Sequence, residues 1–394
     1  MDFDVVIVGG GLAGASLAAA LAATGQQIAL IERKAPSAAL PQWDARVYTL
    51  TPASIAFLER LGAWQRLSRE RITPIYDMHV AGDDGSSRLD FSAYDSGLLQ
   101  LGATVESGRL QRALWDGLER QENLSLLCPK LPVELRRGPD HVEISLEGAA
   151  AARAKLAVGA DGGDSWVRRA SGMEGRSESY DQLGVVANFV CARAHRGTAY
   201  QWFRRDGVLA FLPLAERCVS IVWSTSRAYA LELLALSPDA LSARVSQASA
   251  GALGDLQLLT PPAAFPLSRM TSNRIAHERV ALIGDSAHVV HPLSGQGINL
   301  GLGDAHCLAE LSAQAPDPGE RMLLRRFERS RAEDILALRW VTHGLFRLFE
   351  TNHAMMKRIR NMGLNLTNSN TVIKTLLTRR ATAVGGGLHQ RETS

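Results

Sequence analysis

Cysteine is scarce in this 394-residue chain, and the four present, Cys128, Cys191, Cys218 and Cys307, stand singly with no C-x-x-C pair. That pattern argues against a disulfide framework, a cysteine-based zinc site or a redox-active dithiol, and it fits a reducing cytosolic compartment. Excess charge is sparse too. There are 43 Lys and Arg against 40 Asp and Glu, a formal +3, and no basic run is interleaved with aromatics, so nucleic acid is not an expected partner. Long apolar runs are missing. The stretch of small residues over 15–23 stops at Gly25, too short to cross a bilayer. The opening Met1-Asp2-Phe3-Asp4 has no basic n-region of a signal peptide. The expectation is a soluble chain, at most peripheral to a membrane, with 46% hydrophobic and 21% charged residues to build one large α/β domain or two ordinary ones.

What is present begins at Val5. Val5-Val6-Ile7-Val8 is a continuous β-branched run ended by glycines, the pattern of a buried parallel strand. A helix follows over 15–23 and a second strand over 27–32, forming a β-α-β unit. At its first turn lies Gly9-Gly10-Gly11-Leu12-Ala13-Gly14. In this G-x-G-x-x-G spacing Gly9 makes the tight turn, Gly11 lets a pyrophosphate reach the backbone, and Gly14 lets helix and strand pack closely. Leu12 and Ala13 open a helix whose unpaired N–H groups favour a diphosphate. Glu32, followed by Arg33, ends the second strand, where a carboxylate can accept both hydroxyls of an adenosine ribose and repel a 2′-phosphate. A dinucleotide is implied; FAD and NAD both remain open at this point.

Downstream, helices are expected over 52–61, with Gly62 as the stop, and over 110–120. Strands are expected over 142–146 and 154–160. From 185 to 225 four alternating segments suggest an antiparallel sheet inserted into the α/β framework. A buried strand returns over 280–283, followed by helices over 301–313 and 321–360. These divisions, with the cofactor assigned below, predict a discontinuous FAD-binding domain over 1–73, 100–180 and 270–315, and an antiparallel substrate domain over 74–99 and 181–269. A helical region over 316–382 and a disordered tail over 383–394 complete the chain. The segment 336–349, with Arg339, Arg347 and then Lys357, Arg358 and Arg360 nearby, reads as a basic amphipathic helix. Packing on its own domain or on a partner subunit is favoured over contact with an anionic membrane.

Two later motifs separate the cofactors. One is Val158-Gly159-Ala160-Asp161-Gly162-Gly163-Asp164, and the other Gly284-Asp285-Ser286-Ala287-His288 continuing to Pro292, Gly295, Gln296, Gly297, Ile298 and Asn299. Each acid follows an apolar strand, at the carboxyl end where α/β ligands bind. The helix expected near Gln296 offers a second anion-friendly terminus. Asp161-Gly162 alone would pass for an ordinary turn. His288 and His291 beside Asp285 imitate a metal cluster, but the glycine-rich context suits a flavin better, and no metal is expected.

Together the three motifs resemble the fingerprint of class A flavoprotein aromatic hydroxylases, most of all the ubiquinone-biosynthesis hydroxylase group. The resemblance covers nearly the whole chain. It includes Asp44-Ala45-Arg46, the segment 207–214 and Arg360-Asn361-Met362-Gly363-Leu364. Val208 stands where the group often has proline, and Thr49 where it often has alanine. The resemblance implies an α/β fold: a discontinuous Rossmann-like FAD-binding domain of the p-hydroxybenzoate-hydroxylase kind, an antiparallel-sheet substrate domain and C-terminal helices. It implies that Glu32 binds the adenosine ribose, Arg46 and Arg109 the pyrophosphate or ribityl region, and Asp285 the ribityl chain. Pro292, Gly295, Gln296, Gly297 and Asn299 would line the flavin ring, Asp161 would serve FAD and nicotinamide, and Phe211, Leu212 and Pro213 would line the substrate pocket.

The implied cofactor is FAD, with NAD(P)H and O2 as co-substrates, since one dinucleotide fingerprint leaves the nicotinamide a transient visitor. The implied substrate is an electron-rich phenol, possibly polyprenylated in the sense that ubiquinone precursors are. No general base can be assigned. A flavin oxidoreductase without oxygen insertion and a non-catalytic flavoprotein in a biosynthetic complex stay open as alternatives, as do self-association and peripheral membrane contact. A halogenase is disfavoured because no W-x-W-x-I-P pattern occurs.

Overall fold

The structure is a computed structural model that describes residues 1–38, 41–290, 296–313, 315–350 and 363–386, with the backbone alone over 338–350. The β-branched run at the start forms the strand Asp2–Val8, and it sits inside an eight-stranded sheet. Parallel partners flank it, Ala149–Gly159 on one side and Ile28–Ile31 on the other. Val280–Leu282 adds beyond Ala149–Gly159, so that Val8, Gly159 and Leu282 lie side by side in register. The three chemical motifs therefore leave the sheet at adjacent carboxyl ends. Val5 to Ile7, Ile28 to Leu30, Leu156 to Val158 and Val280 to Leu282 are completely buried, because the helices Leu12–Ala20, Ser107–Leu118 and Gly297–Ala313 pack on this core. Their runs are continuous rather than alternating for that reason.

The second sheet has nine strands, with Gly175–Cys191, Cys218–Ser226, Gly207–Pro213 and Thr198–Arg204 in its centre. Pairing among these is antiparallel. Asp77–Ala81 joins the edge in parallel, Thr198 opposite Asp77, so the expected antiparallel unit contains one parallel step. Here the side chains alternate. Val185, Ala187, Phe189, Leu209, Phe211 and Ile221 bury against the helices Arg227–Ala235 and Pro238–Ala248. Asn188 points the other way and donates through Nδ2 to the carbonyl of Asp44, 2.9 Å. That second face is thus turned toward the dinucleotide unit. A small sheet of Val47–Leu50, Gly102–Glu106 and Thr73–Ile75 lies between.

The expected disorder from 383 onward does not describe 383–386. The Thr51 hydroxyl donates to the carbonyl of Val384 at 2.5 Å, and Gly385 is buried against Ser54 and Gly303. Three consecutive glycines look like a linker in sequence, but at Gly385 the lack of a side chain allows close packing against Ser54 and the Asn299 backbone. Residues 387–394 lie outside the described residues, as do 351–362, so the expected helix over 321–360 is described as Arg321–Glu350.

The alternation in Gly175–Cys191 is testable. Phe189 is completely buried and Val190 is 37% exposed. Phe189→Ala should lower unfolding free energy by about 3–5 kcal/mol, while Val190→Ala stays within about 0.5 kcal/mol, both read from urea denaturation.

Candidate functional site

The glycine turn is held by sterics. Gly9 has φ +104°, and a Cβ there would lie 2.3 Å from the Ala160 carbonyl oxygen; a Cβ on Gly14 would lie 2.0 Å from the Gly9 oxygen. Only glycine lets the first strand, its helix and the neighbouring strand approach this closely. Gly11 caps the helix Leu12–Ala20 without a side-chain hydrogen bond, there is no acid in the first turn, and no atom lies within 4 Å of where its Cβ would be. The helix N-terminus thus presents its N–H groups outward. From the other side Trp115 donates through Nε1 to the Gly10 carbonyl, 2.8 Å. Glu32 accepts from the N–H of Gly10 at 2.6 Å and of Lys34 at 3.1 Å, which fixes its carboxylate at the mouth of the turn. Arg33 is exposed.

The second motif braces the third. One carboxylate oxygen of Asp161 accepts from the hydroxyls of Ser165 and Ser286, and the other from the Val167 N–H at 3.0 Å. Arg168, buried, donates to the carbonyls of Ser286 and Gly163, both at 2.8 Å. Asp161 therefore spends its hydrogen bonds on aligning the loop that carries Asp285. That loop is also held from behind by Asp304 on the helix Gly297–Ala313. Asp304 accepts from the Gly284 N–H at 2.9 Å, His288 Nε2 lies 2.6 Å from it, and Arg331 Nε donates at 2.7 Å. Asp304 and Arg331 have no exposed surface. Burial alone would raise the Asp304 carboxyl, but His288 and Arg331 outweigh it and hold the group below its ordinary range. His288 is thereby tied to a carboxylate, and His291, the other half of the metal alternative, lies outside the described residues.

Asp285 is exposed at its surface but closely surrounded by protein atoms. That setting raises its carboxyl, with His288 and Arg46 pulling it back. Arg46 and Asp285 are thus brought within electrostatic reach of one another. The Arg46 guanidinium lies over the Tyr48 ring, 5.4 Å from its centroid. Glu106, 1% exposed, orders this side: it accepts from the Asp44 N–H at 2.8 Å and from Arg109 Nε at 2.8 Å, with Arg71 at 3.4 Å. Asn299, also buried, accepts from the Thr51 N–H and donates to the Thr49 carbonyl, both 2.9 Å, and to Gln296 at 3.2 Å. Gln296, Gly297 and Ile298 are half-buried around the start of that helix. Pro292 and Gly295 lie outside the described residues.

An open glycine turn, a ribose-competent carboxylate, two helix N-termini and an arginine beside a raised acid fit a flavin dinucleotide along the adjacent strand ends. The comparisons agree. An FAD binding domain family model matches residues 2–337. The ubiquinone hydroxylase UbiL of Rhodospirillum rubrum is 35% identical over 385 residues, 96% of this chain and 89% of the relative. The 3-demethoxyubiquinol 3-hydroxylase of Escherichia coli is 33% identical, covering 94% and 96%.

This chain belongs to the FAD-dependent hydroxylases of the ubiquinone group. Among solved structures, P. aeruginosa PqsL in complex with 2-aminobenzoylacetate matches with a TM-score of 0.77 at 24% identity, over 92% of this chain and 99% of that one. The p-nitrophenol 4-monooxygenase PnpA of Pseudomonas putida matches with 0.77 at 18%, over 98% and 99%. At those identities the likeness speaks for the fold.

In this hydroxylase the three expected pocket residues do not share a face. Phe211 is buried in the helix-side core, and Pro213 has the same parity; Leu212 takes the face of Asn188 and pairs with Ser220. A strand alternates, so adjacent residues cannot line one pocket. Asn188 and Ser220, register partners, were not singled out in sequence. Asn188 Oδ1 and Ser220 Oγ are buried without a hydrogen-bond partner among the described residues. A lone asparagine in Val185-Val186-Ala187-Asn188-Phe189-Val190 was the available signal.

Two outcomes follow from these contacts. Glu32→Ala should weaken FAD binding at least about tenfold, or about 1.4 kcal/mol, in a titration followed by flavin fluorescence. Asp304→Asn should cost about 3–5 kcal/mol by leaving Arg331 buried without its charge partner. The depressed Asp304 carboxyl contributes stability that is complete above its ordinary 3.8 and is lost as pH falls through the lower folded value. Urea midpoints of the parent should therefore drop more steeply than those of Asp304→Asn on acidification below that value.

Proposed function

We propose that this hydroxylase adds one oxygen atom to the aromatic ring of a polyprenyl-phenol intermediate of ubiquinone biosynthesis. In balance, substrate, O2, NAD(P)H and a proton give the hydroxylated ring, water and NAD(P)+. Bound flavin supplies the electron transfer and the electrophilic oxygen, which calls for an electron-rich ring such as a phenol. The chain's residues position and shield. Glu32 and the turn at Gly9 anchor the adenosine end, and Asp285 and Arg46 face the middle of the cofactor. Asn299 fixes the backbone of Thr49 and Thr51 beside the ring end. The sheet face with Leu212, Asn188 and Ser220 covers the cleft and excludes water.

The names of the relatives support the pathway, and one observation supports the tail. A groove of about 710 Å³ opens along the helix Pro52–Arg60. Most of its lining is apolar, including Ile55, Trp64, Ile72 and Leu98, with Glu59, Arg69 and Gln100 also on its wall. It starts one residue from Thr51, which Asn299 holds, so a ring near the flavin can trail an isoprenoid chain along it. Burying such a chain gains about 25 cal/mol per Å² of apolar surface.

Turnover in labelled O2 should place the label in the ring hydroxyl; unlabelled product with continued NAD(P)H oxidation would establish the oxidoreductase alternative instead. Lipid mass spectrometry of cells lacking the gene should reveal a ubiquinone precursor short of one hydroxyl. Leu98→Asn should raise KM for a long-tailed phenol several-fold (about 1 kcal/mol) and leave KM for a tailless phenol unchanged. Equal effects on both would remove the groove from the reading.

A further inference from the structure

The helix Thr371–Thr382 is built inside out. Its inward face carries Thr375, Thr378 and Thr382. Thr378 is 4% exposed, and the hydroxyls of Thr378 and Thr382 donate to the carbonyls of Lys374 and Thr378 within the helix. Its outward face carries the apolar residues: Val372 is 80% exposed, Leu376 67%, Leu377 44% and Ile373 42%. A surface helix of a globular protein has the reverse arrangement. Leu366, 67% exposed just before it, extends the patch.

The orientation is held from both ends. The preceding helical stretch 363–369 clamps the edge strand Arg88–Ser92, with Asn365 accepting from the Arg88 N–H at 3.1 Å and Asn368 from the Asp90 N–H at 3.0 Å. Leu364 packs with Val80, Leu89 and Phe203. In its last turn Arg380 pairs with Glu333 at 2.8 Å, and just beyond it Val384 accepts from Thr51. The outward apolar face is thus fixed by contacts at either side.

Charge indicates the occupant. Between 363 and 386 the charged residues are Lys374, Arg379 and Arg380, with no Asp or Glu, although the chain as a whole is close to neutral. Apolar side chains flanked by Lys374 and Arg379 suit the headgroup and acyl boundary of an anionic bilayer. A symmetric contact with a second copy would set the same face against itself and bring like charges together.

We propose that the outward face of Thr371–Thr382, through Val372, Ile373, Leu376 and Leu377 with the neighbouring basic residues, docks this hydroxylase on an anionic lipid surface. The use of that surface to reach a tailed substrate rests on the proposed function. The docking itself does not. Because the helix continues directly into the Val384 contact with Thr51, it links the lipid surface to the backbone beside the ring end of the flavin cleft.

The test uses the full-length, FAD-loaded protein and vesicles of phosphatidylcholine with or without phosphatidylglycerol. Sedimentation should show binding to the anionic vesicles that weakens with salt. Leu376→Ser/Leu377→Ser should reduce it at least about tenfold, and Arg379→Gln should weaken binding to anionic vesicles only. Flavin content, circular dichroism and turnover of a tailless phenol should be unchanged in both variants. Parent protein that ignores anionic vesicles, or a double serine variant that binds as well as the parent, would overturn the docking. So would a dimer in sedimentation equilibrium that the serine substitutions abolish, since that assigns the face to a second copy. Failure to hydroxylate any phenol with vesicle binding intact would instead strike the proposed function and leave the docking standing.

Discussion

A carboxylate with no access to water ties three parts of this structure to the helix Gly297–Ala313. Asp304 gathers the N–H of Gly284, the ring of His288 and the guanidinium of Arg331. Those groups belong to the loop bearing Asp285, to the strand His288–Val289 and to the long helix Arg321–Glu350. Removing one partner from such a cluster leaves a charge in a medium that cannot solvate it. The strand His288–Val289 in turn pairs with Ala263–Ser272 of the second sheet, Thr271 opposite His288. The two sheets are therefore registered through the same ionic cluster that sets the loop of Asp285.

The site is assembled by residues that bind one another before they bind anything else. Asp161 and Arg168 secure Ser286, Glu106 secures Asp44 and Arg109, and Asn299 secures Thr49 and Thr51. These contacts position the groups proposed to face the cofactor, in the way supporting hydrogen bonds orient the ligands of a metal. Asp161 shows the difference. The family resemblance implies a cofactor contact for it, whereas its oxygens in this structure are engaged by Ser165, Val167 and Ser286.

Much of the fold was legible because it rests on local periodicity. The continuous runs around Val6, Leu30, Val158 and Leu282 are parallel strands covered on both faces, and the glycines at 9, 11 and 14 mark a turn with few alternatives. Less legible were features set by partners distant in sequence. Alternation in 207–213 showed that a strand was present but not which face met the cleft, so Phe211 and Leu212 were grouped although they point in opposite directions. Glu106 and Asp304 had no motif to announce them, since a buried acid is explained only by the cations and N–H groups that reach it. The glycines after Ala383 resembled a free tail until Thr51 and Ser54 were seen to receive 384–385.

The sequence by itself determined that the first strand ends in a dinucleotide-type glycine turn, because the glycine spacing and the acid at Glu32 meet steric and charge requirements within one β-α-β unit. It also determined the order of the motifs along the chain. Tertiary structure alone decided that Val8, Gly159 and Leu282 end side by side, since strand order depends on contacts between residues more than a hundred positions apart. It alone decided which side of each strand faces the cleft. And it decided that the threonines of Thr371–Thr382 turn inward while its leucines face out, because no helical period says which face finds a neighbour.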